Sequence, residues 1–264
     1  MTILDEIVTY KRGVVAEAKK SGSIEALKDQ IDLSERPRSL LTKMSIDTGF
    51  HFICEVKKAS PSKGIIQPNF NPTEQSKLYE QGGASAISVL TDEKYFMGSL
   101  EYLKAIKRTV QLPVLRKDFI IDAYQIYESR AAGADLILLI TRILSKDQLN
   151  DFYQQAKELG LEALIEIADA EDIDKIPVLP DKAILGINNR NLHTFEVSLQ
   201  NSIHIKPNLP AEVPVISESG IHNADDCKLL FNHGFRGALI GESLMRAGSP
   251  VELLQQMKTG VTYV

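Results

Sequence analysis

Between Phe52 and Gly64 the chain reads FICEVKKASPSKG, an apolar run that carries Glu55 and Lys57 two residues apart and then breaks into a turn of Ser, Pro and Gly. Residues at i and i+2 lie on the same face of a β-strand. If that face looks into a barrel or a cleft, both charges lose water, which is costly unless they pair or meet a charged ligand. On an edge strand the same two charges would simply be solvated. Further along, Lys117 with Asp118, Glu166, Asn188 with Arg190, and Glu218 each close or follow a short apolar run. Together they describe a pocket with both cations and carboxylates. Last come Ser219-Gly220 and Gly241-Glu242-Ser243, where glycine would let backbone N–H groups approach an oxyanion. The plainer reading is two turn glycines, and Glu242 opposes an anion there unless its side chain turns away.

Strands whose C-terminal ends converge are needed to bring these groups together. After about Gly49 the chain alternates eight short apolar runs, at 52–57, 86–90, 114–117, 136–140, 162–167, 184–188, 213–217 and 237–240, with longer helical patterns. The helical segments include 72–81, 100–109, 123–132, 146–159 and 224–232, and left-handed caps are expected at Gly82, Gly133, Gly160 and Gly234. The phrases QGGASAIS, AAGADLIL and NHGFRGALI repeat the same entry into a strand. Together these features predict a (β/α)8 TIM barrel of the α/β class, in which catalytic groups project from the C-terminal strand ends. A doubly wound open sheet would place its Gly-rich turn after the first strand, whereas here the glycine turns come last. Residues 1–48 read as an N-terminal helical extension, helical over 3–20 and 23–29, and 49–264 as the barrel, together one structural domain. Whether the extension covers the barrel mouth or closes its bottom is left open by the sequence.

The 264 residues, 44% hydrophobic, suffice for a large core in one barrel or in two domains. Thirty basic against thirty-five acidic residues give a net charge of -5, with no general basic field for nucleic acid or an anionic membrane. The two cysteines, Cys54 and Cys227, lack metal or redox spacing and read as buried hydrophobes. His51, His193, His204, His222 and His233 show no metal-binding pattern, so no metal site is expected. The first residues, MTILDEIVTYKRGVV, contain no apolar run of signal or membrane-span length. The expectation is a cytoplasmic protein, a monomer or weak homo-oligomer.

Read in order, CEVKKASPSKG, SVLTDEKYFMGS, PVLRKDFIID, ALIEI, GINNRNL, SESGI and ALIGESLM resemble the successive motifs of the indole-3-glycerol-phosphate synthase family. The resemblance spans the chain from about Phe52 onward, with no departure at the positions that matter, and a fused bifunctional form is not expected. It implies a cofactor-free lyase of tryptophan biosynthesis whose partner is a small phosphosugar-anthranilate substrate, 1-(2-carboxyphenylamino)-1-deoxyribulose 5-phosphate. Ring closure, loss of carbon dioxide and loss of water would give indole-3-glycerol phosphate. By the same resemblance Lys117 is the first general acid, Glu166 the later base or acid and Glu55 their electrostatic support. Lys57 faces the substrate carboxylate or shares acid duty. Asn188 and Arg190 hold sugar hydroxyls and the carboxylate side, and Glu218 joins the substrate-binding set. Ser60, Ser219, Gly220, Gly241 and Glu242 bind phosphate and polar atoms, Glu242 through its backbone, and Phe96 and Phe119 wall the benzene ring. A phosphoribosylanthranilate isomerase would need a Cys or Asp pair, and neither Cys54 nor Cys227 ends a strand. A barrel that only binds such ligands would have lost an acid or base position, and none is lost.

Overall fold

The computed structural model describes residues 2–177, 181–191 and 196–261. The chain opens with α1 (Ile3–Ser21), α2 (Ile24–Asp32) and α3 (Leu40–Ile46), then enters strand β1 (His51–Val56). A small hairpin, β2 (Ala59–Ser60) and β3 (Gly64–Ile65), leads to α4 (Pro72–Gly82), β4 (Ala86–Leu90), α5 (Glu93–Phe96) and α6 (Leu100–Thr109). Next come β5 (Val114–Lys117), α7 (Ala123–Ala131), β6 (Leu136–Ile140), α8 (Lys146–Glu158), β7 (Glu162–Ile167) and, after a short 3-10 turn, β8 (Ala183–Asn188). The last elements are α9 (Leu199–Ile205), β9 (Val215–Glu218), α10 (Ala224–Asn232), β10 (Gly237–Ile240), α11 (Glu242–Arg246) and α12 (Pro250–Thr259). Strands β1 and β4 to β10 pair in parallel, and β1 bonds to both β4 and β10, so the sheet closes into an eight-stranded barrel.

Five strands coincide with the apolar runs, but three differ. Strand β1 stops at Val56, leaving Lys57 just beyond it, and β8 begins one residue early at Ala183. Strand β9 covers Val215–Glu218 because Pro214 has no N–H to give to the ladder. The left-handed caps occur at Gly133, Gly160 and Gly234 as expected, whereas Gly83 takes the place foreseen for Gly82. Gly82 remains in α4, where an added Cβ would press on Leu254 of α12.

The barrel interior is filled by Ile53, Ala86, Leu115, Leu136, Leu138, Leu164, Ile184, Ile216 and Leu239, and Leu40 and Met44 of α3 belong to the same cluster. Helix α3 therefore plugs the N-terminal end of the barrel. Its first turn is anchored by the Glu162 carboxylate, which accepts from the Leu40 and Leu41 backbone N–H groups at 3.0 and 3.2 Å and from the Ser39 hydroxyl. A carboxylate at a helix N-terminus satisfies donors that the helix itself cannot. Helix α1 lies at the opposite end, where Ile3, Leu4 and Ile7 line the cavity above the strands. The extension thus reaches both ends of the barrel. Among the described residues no helix is long and apolar enough to cross a membrane.

Candidate active site

The period of two along each strand explains how charges reach the barrel axis. Ile53, Leu115, Leu164 and Ile216 fill the interior, and two residues further on stand Glu55, Lys117, Glu166 and Glu218. Each is lifted one layer towards the open end. In β8 the same step from Ile184 reaches Gly186, which lies opposite Glu166 in the ladder. A Cβ on Gly186 would collide with the Glu218 carboxylate, so this glycine makes the space that Glu218 occupies.

The Lys117 ammonium sits 2.8 Å from Glu218 and 3.3 Å from Glu166, and Lys57 pairs with Glu55 at 2.5 Å. Burial lowers the affinity of Lys117 for its proton, but Glu218, Glu166 and Glu55 together outweigh it and hold the lysine above its ordinary range. Burial raises the Glu55 carboxyl, and Lys57 and Lys117 more than reverse this, leaving it below its usual value. Glu218 goes the other way: burial pushes it up to about 7, with Glu166 adding to burial and Lys117 opposing it. Its second oxygen, Oε1, is buried and has no hydrogen-bond partner among the described residues. The centre is a cation among carboxylates, of which Glu218 holds its proton more tightly than usual and Glu55 less tightly.

All fourteen residues singled out from the sequence line one cavity of about 530 Å3, a size suited to a small phosphorylated ligand. Asn188 Oδ1 accepts from the Ser219 hydroxyl and from the Arg190 backbone N–H, both at 3.0 Å, and so ties β8 to the turn after β9. In that turn Ser219 and Gly220 have φ of 68° and 79°, a left-handed pair. A side chain at Gly220 would also meet Val197. Glu242 is turned onto Arg246 at 3.1 Å and Lys63 at 3.7 Å, which frees its backbone from the objection raised by its charge. The Phe96 and Phe119 rings face each other with centroids 6.0 Å apart. A Cβ on Gly241 would strike Glu55 and come within 3.0 Å of the Lys57 ammonium, so a larger residue there disturbs that ion pair directly.

Asp118, grouped with Lys117 by sequence, turns its carboxylate onto Arg116 at 3.0 Å and Lys11 at 2.7 Å instead of joining the acid–base centre. His193, and Leu192 of the GINNRNL motif, lie outside the described residues. Among the described residues no cluster of three or more His, Cys, Asp or Glu side chains is arranged to hold a metal ion. Sequence reasoning missed Gly186, the cavity-lining Lys63 and His222, and Lys11. The first three carry no periodic signal, but Lys11 does: it falls between Ile7 and Val15 at helical spacing, a charge on the buried stripe of α1.

A closed (β/α)8 barrel with a buried lysine–carboxylate cluster at the C-terminal strand ends has the architecture of barrel enzymes. A family model described as indole-3-glycerol phosphate synthase matches residues 4–257. Proteins named indole-3-glycerol phosphate synthase include one from Alkaliphilus metalliredigens, 42% identical with 98% of this chain and 99% of the relative covered. Others are from Legionella pneumophila strain Paris, 45% identical with 98% and 99% covered, and from Bacillus pumilus, 49% identical with 78% and 82% covered. The chain belongs to the indole-3-glycerol phosphate synthase family. It is thereby a carboxy-lyase of tryptophan biosynthesis that acts on a small phosphosugar substrate. The fold alone is shared with more distant structures. The alpha subunit of tryptophan synthase from Legionella pneumophila aligns with a TM-score of 0.58 at 14% identity, covering 88% of this chain and 97% of that one. A thiamine phosphate pyrophosphorylase from Pyrococcus furiosus gives 0.57 at 15% identity, covering 80% and 94%.

Proposed function

We propose that the barrel mouth turns over 1-(2-carboxyphenylamino)-1-deoxyribulose 5-phosphate with Lys117 as the first general acid and Glu166 as the group that moves the later protons. The observation that carries this reading is the single Lys117 ammonium held between Glu218 and Glu166 in a cavity that Phe96 and Phe119 also line. The ring carbon bearing the carboxylate bonds to the ketone carbon, the carbonyl electrons move onto oxygen, and Lys117 supplies the proton that makes it a hydroxyl. An alkoxide is more basic than an amine, so the transfer runs downhill even from a lysine that holds its proton tightly. Carbon dioxide then leaves, and its bonding pair restores the aromatic ring. The aniline nitrogen pushes electron density through the ring as the hydroxyl departs as water, and removal of a proton from the neighbouring carbon completes the indole.

Glu55 and Lys57 fix the field on one flank of this centre, and Arg190 and Asn188 hold the sugar and carboxylate side. The phosphate takes the backbone N–H groups at Ser219-Gly220 and Gly241-Glu242, with Ser60 nearby. Because the chain has no tryptophan, indole emission from the product stands clear of the protein background. The test mixes protein and substrate in EDTA and follows that emission. Wild type should turn over, and Lys117→Met should lose on the order of a hundred- to ten-thousand-fold in kcat, as removal of a positioned acid does. A Lys117→Met variant that keeps more than about a tenth of the turnover removes Lys117 from this role, and chelator-sensitive activity restored by a divalent ion overturns the metal-free route.

A further inference from the structure

Lys11 is the one charge on the buried stripe of α1, with Ile7 and Val15 on either side of it. Only 4% of it is exposed, and its ammonium meets two carboxylates, Asp92 at 2.8 Å and Asp118 at 2.7 Å. Each of those aspartates anchors a loop that carries one aromatic wall of the cavity. Asp92 caps α5, accepting from the Tyr95 backbone N–H at 2.8 Å, and Phe96 is the next residue. Asp118 lies between Lys117 and Phe119; its Oδ1 accepts from the Phe119 N–H at 2.8 Å, while its Oδ2 accepts from Thr91 and Arg116 at 2.7 and 3.0 Å. The same face of α1 packs Tyr10 against Tyr95, centroids 5.9 Å apart, with Lys94 over both rings.

Apolar residues in place of the whole cluster would continue this stripe without any desolvation cost, so a buried ion cluster is a poor source of stability. What the ammonium adds is direction. We propose that Lys11 is a positioning residue for the reaction: one cation of the N-terminal extension ties the loops after β4 and β5 together and thereby sets where the substrate ring lies relative to Lys117. The proposal rests on the reading of Phe96 and Phe119 as the walls of the ring site. The phosphate end of the cavity is built after β9 and β10, away from the loops that this tie joins, and keeps its geometry without it.

The test compares wild type, Lys11→Met, Lys11→Arg and Phe96→Ala, each confirmed folded by circular dichroism and a cooperative melt. The readouts are kcat and KM, the affinity for the product by its indole emission, and competitive inhibition by inorganic phosphate. Lys11→Met should lose on the order of ten- to a hundred-fold in kcat/KM, the scale of a small misplacement of reacting groups. Its product affinity should fall while phosphate inhibition stays within about two-fold of wild type, and Lys11→Arg should recover part of the loss. A folded Lys11→Met that melts earlier but keeps kcat, KM and product affinity overturns the proposal and leaves Lys11 a structural residue. Equal loss of phosphate inhibition also overturns it, because the effect would not be confined to the ring end. Unchanged product affinity in Phe96→Ala defeats the ring-wall reading itself, whereas loss there without loss in Lys11→Met defeats only the tie. If Lys11→Met does not fold, Asp92→Asn replaces it, since that change keeps the Tyr95 cap and removes one carboxylate from the tie. The same losses in Asp92→Asn support the proposal, and unchanged kcat, KM and product affinity overturn it.

Discussion

Glu218 is a carboxyl whose chemistry burial changes. One of its oxygens is committed to Lys117 at 2.8 Å, and the other is buried without a partner among the described residues. Burial lifts it to about 7 against the pull of Lys117. Its folded value therefore lies above its unfolded one, so the folded state binds the proton more tightly than the unfolded chain does. The stability this group contributes is complete below the unfolded value near 4.5 and is lost as pH rises through about 7. Glu218→Gln mimics the protonated form, so the variant should gain on wild type as pH is raised from about 5 to about 8. Melts at several pH values should show the Tm difference growing by roughly a few °C over that range and flattening beyond it. A difference that is constant with pH would mean that Glu218 is ionised throughout, and its upward shift by burial would have to be abandoned.

At the scale of elements, the decisive feature is a strand that lacks a side chain where its neighbours have one. Strand β8 reaches the acid–base layer at Gly186, and the space it leaves is filled by Glu218 from β9. Gly186→Ala should push the Glu218 carboxylate away from Lys117 and lower kcat by about ten- to a hundred-fold. A crystal structure or kinetics showing Glu218 and kcat unmoved would contradict this. The strands themselves were readable from short apolar runs, and β6 (LILLI) coincides with its run because a fully buried strand is apolar on both faces. Gly186 was not readable, because its importance lies in a carboxylate that reaches it from the next strand, and nothing local distinguishes it from any other strand glycine. The short helices α3, α5 and α11 were equally silent, since helices of this length owe their existence to what they pack on rather than to their own pattern.

At the scale of the whole molecule, the N-terminal extension and the barrel share one interior. Leu40 and Met44 are buried in the barrel cluster, and Glu162 of the barrel anchors the first turn of α3. We propose that the two parts fold as one unit. The full chain should then melt in a single transition by every probe, and a chain starting at residue 49 should lose that cooperativity or fail to fold, because it exposes the barrel floor and removes the Ser39, Leu40 and Leu41 donors from the buried Glu162 carboxylate. Two separable transitions in the full chain, or a stable truncated barrel, would show instead that the extension is an accessory layer.

The sequence by itself determined the barrel and the family, and it picked out residues that line one cavity at the barrel mouth. The strand period of two puts the charges at Glu55, Lys117, Glu166 and Glu218 on the same face as the hydrophobes two residues earlier. That is local information, carried by each strand on its own. Tertiary structure alone decided how those charges are paired. Lys117 chooses Glu218 and Glu166, Asp118 turns away to Arg116 and Lys11, and Glu242 turns to Arg246 and Lys63. Pairing depends on distances of a few ångströms between residues on different strands and helices, and on how much water each pair loses. Both are properties of the closed barrel and its cap, which no single segment encodes.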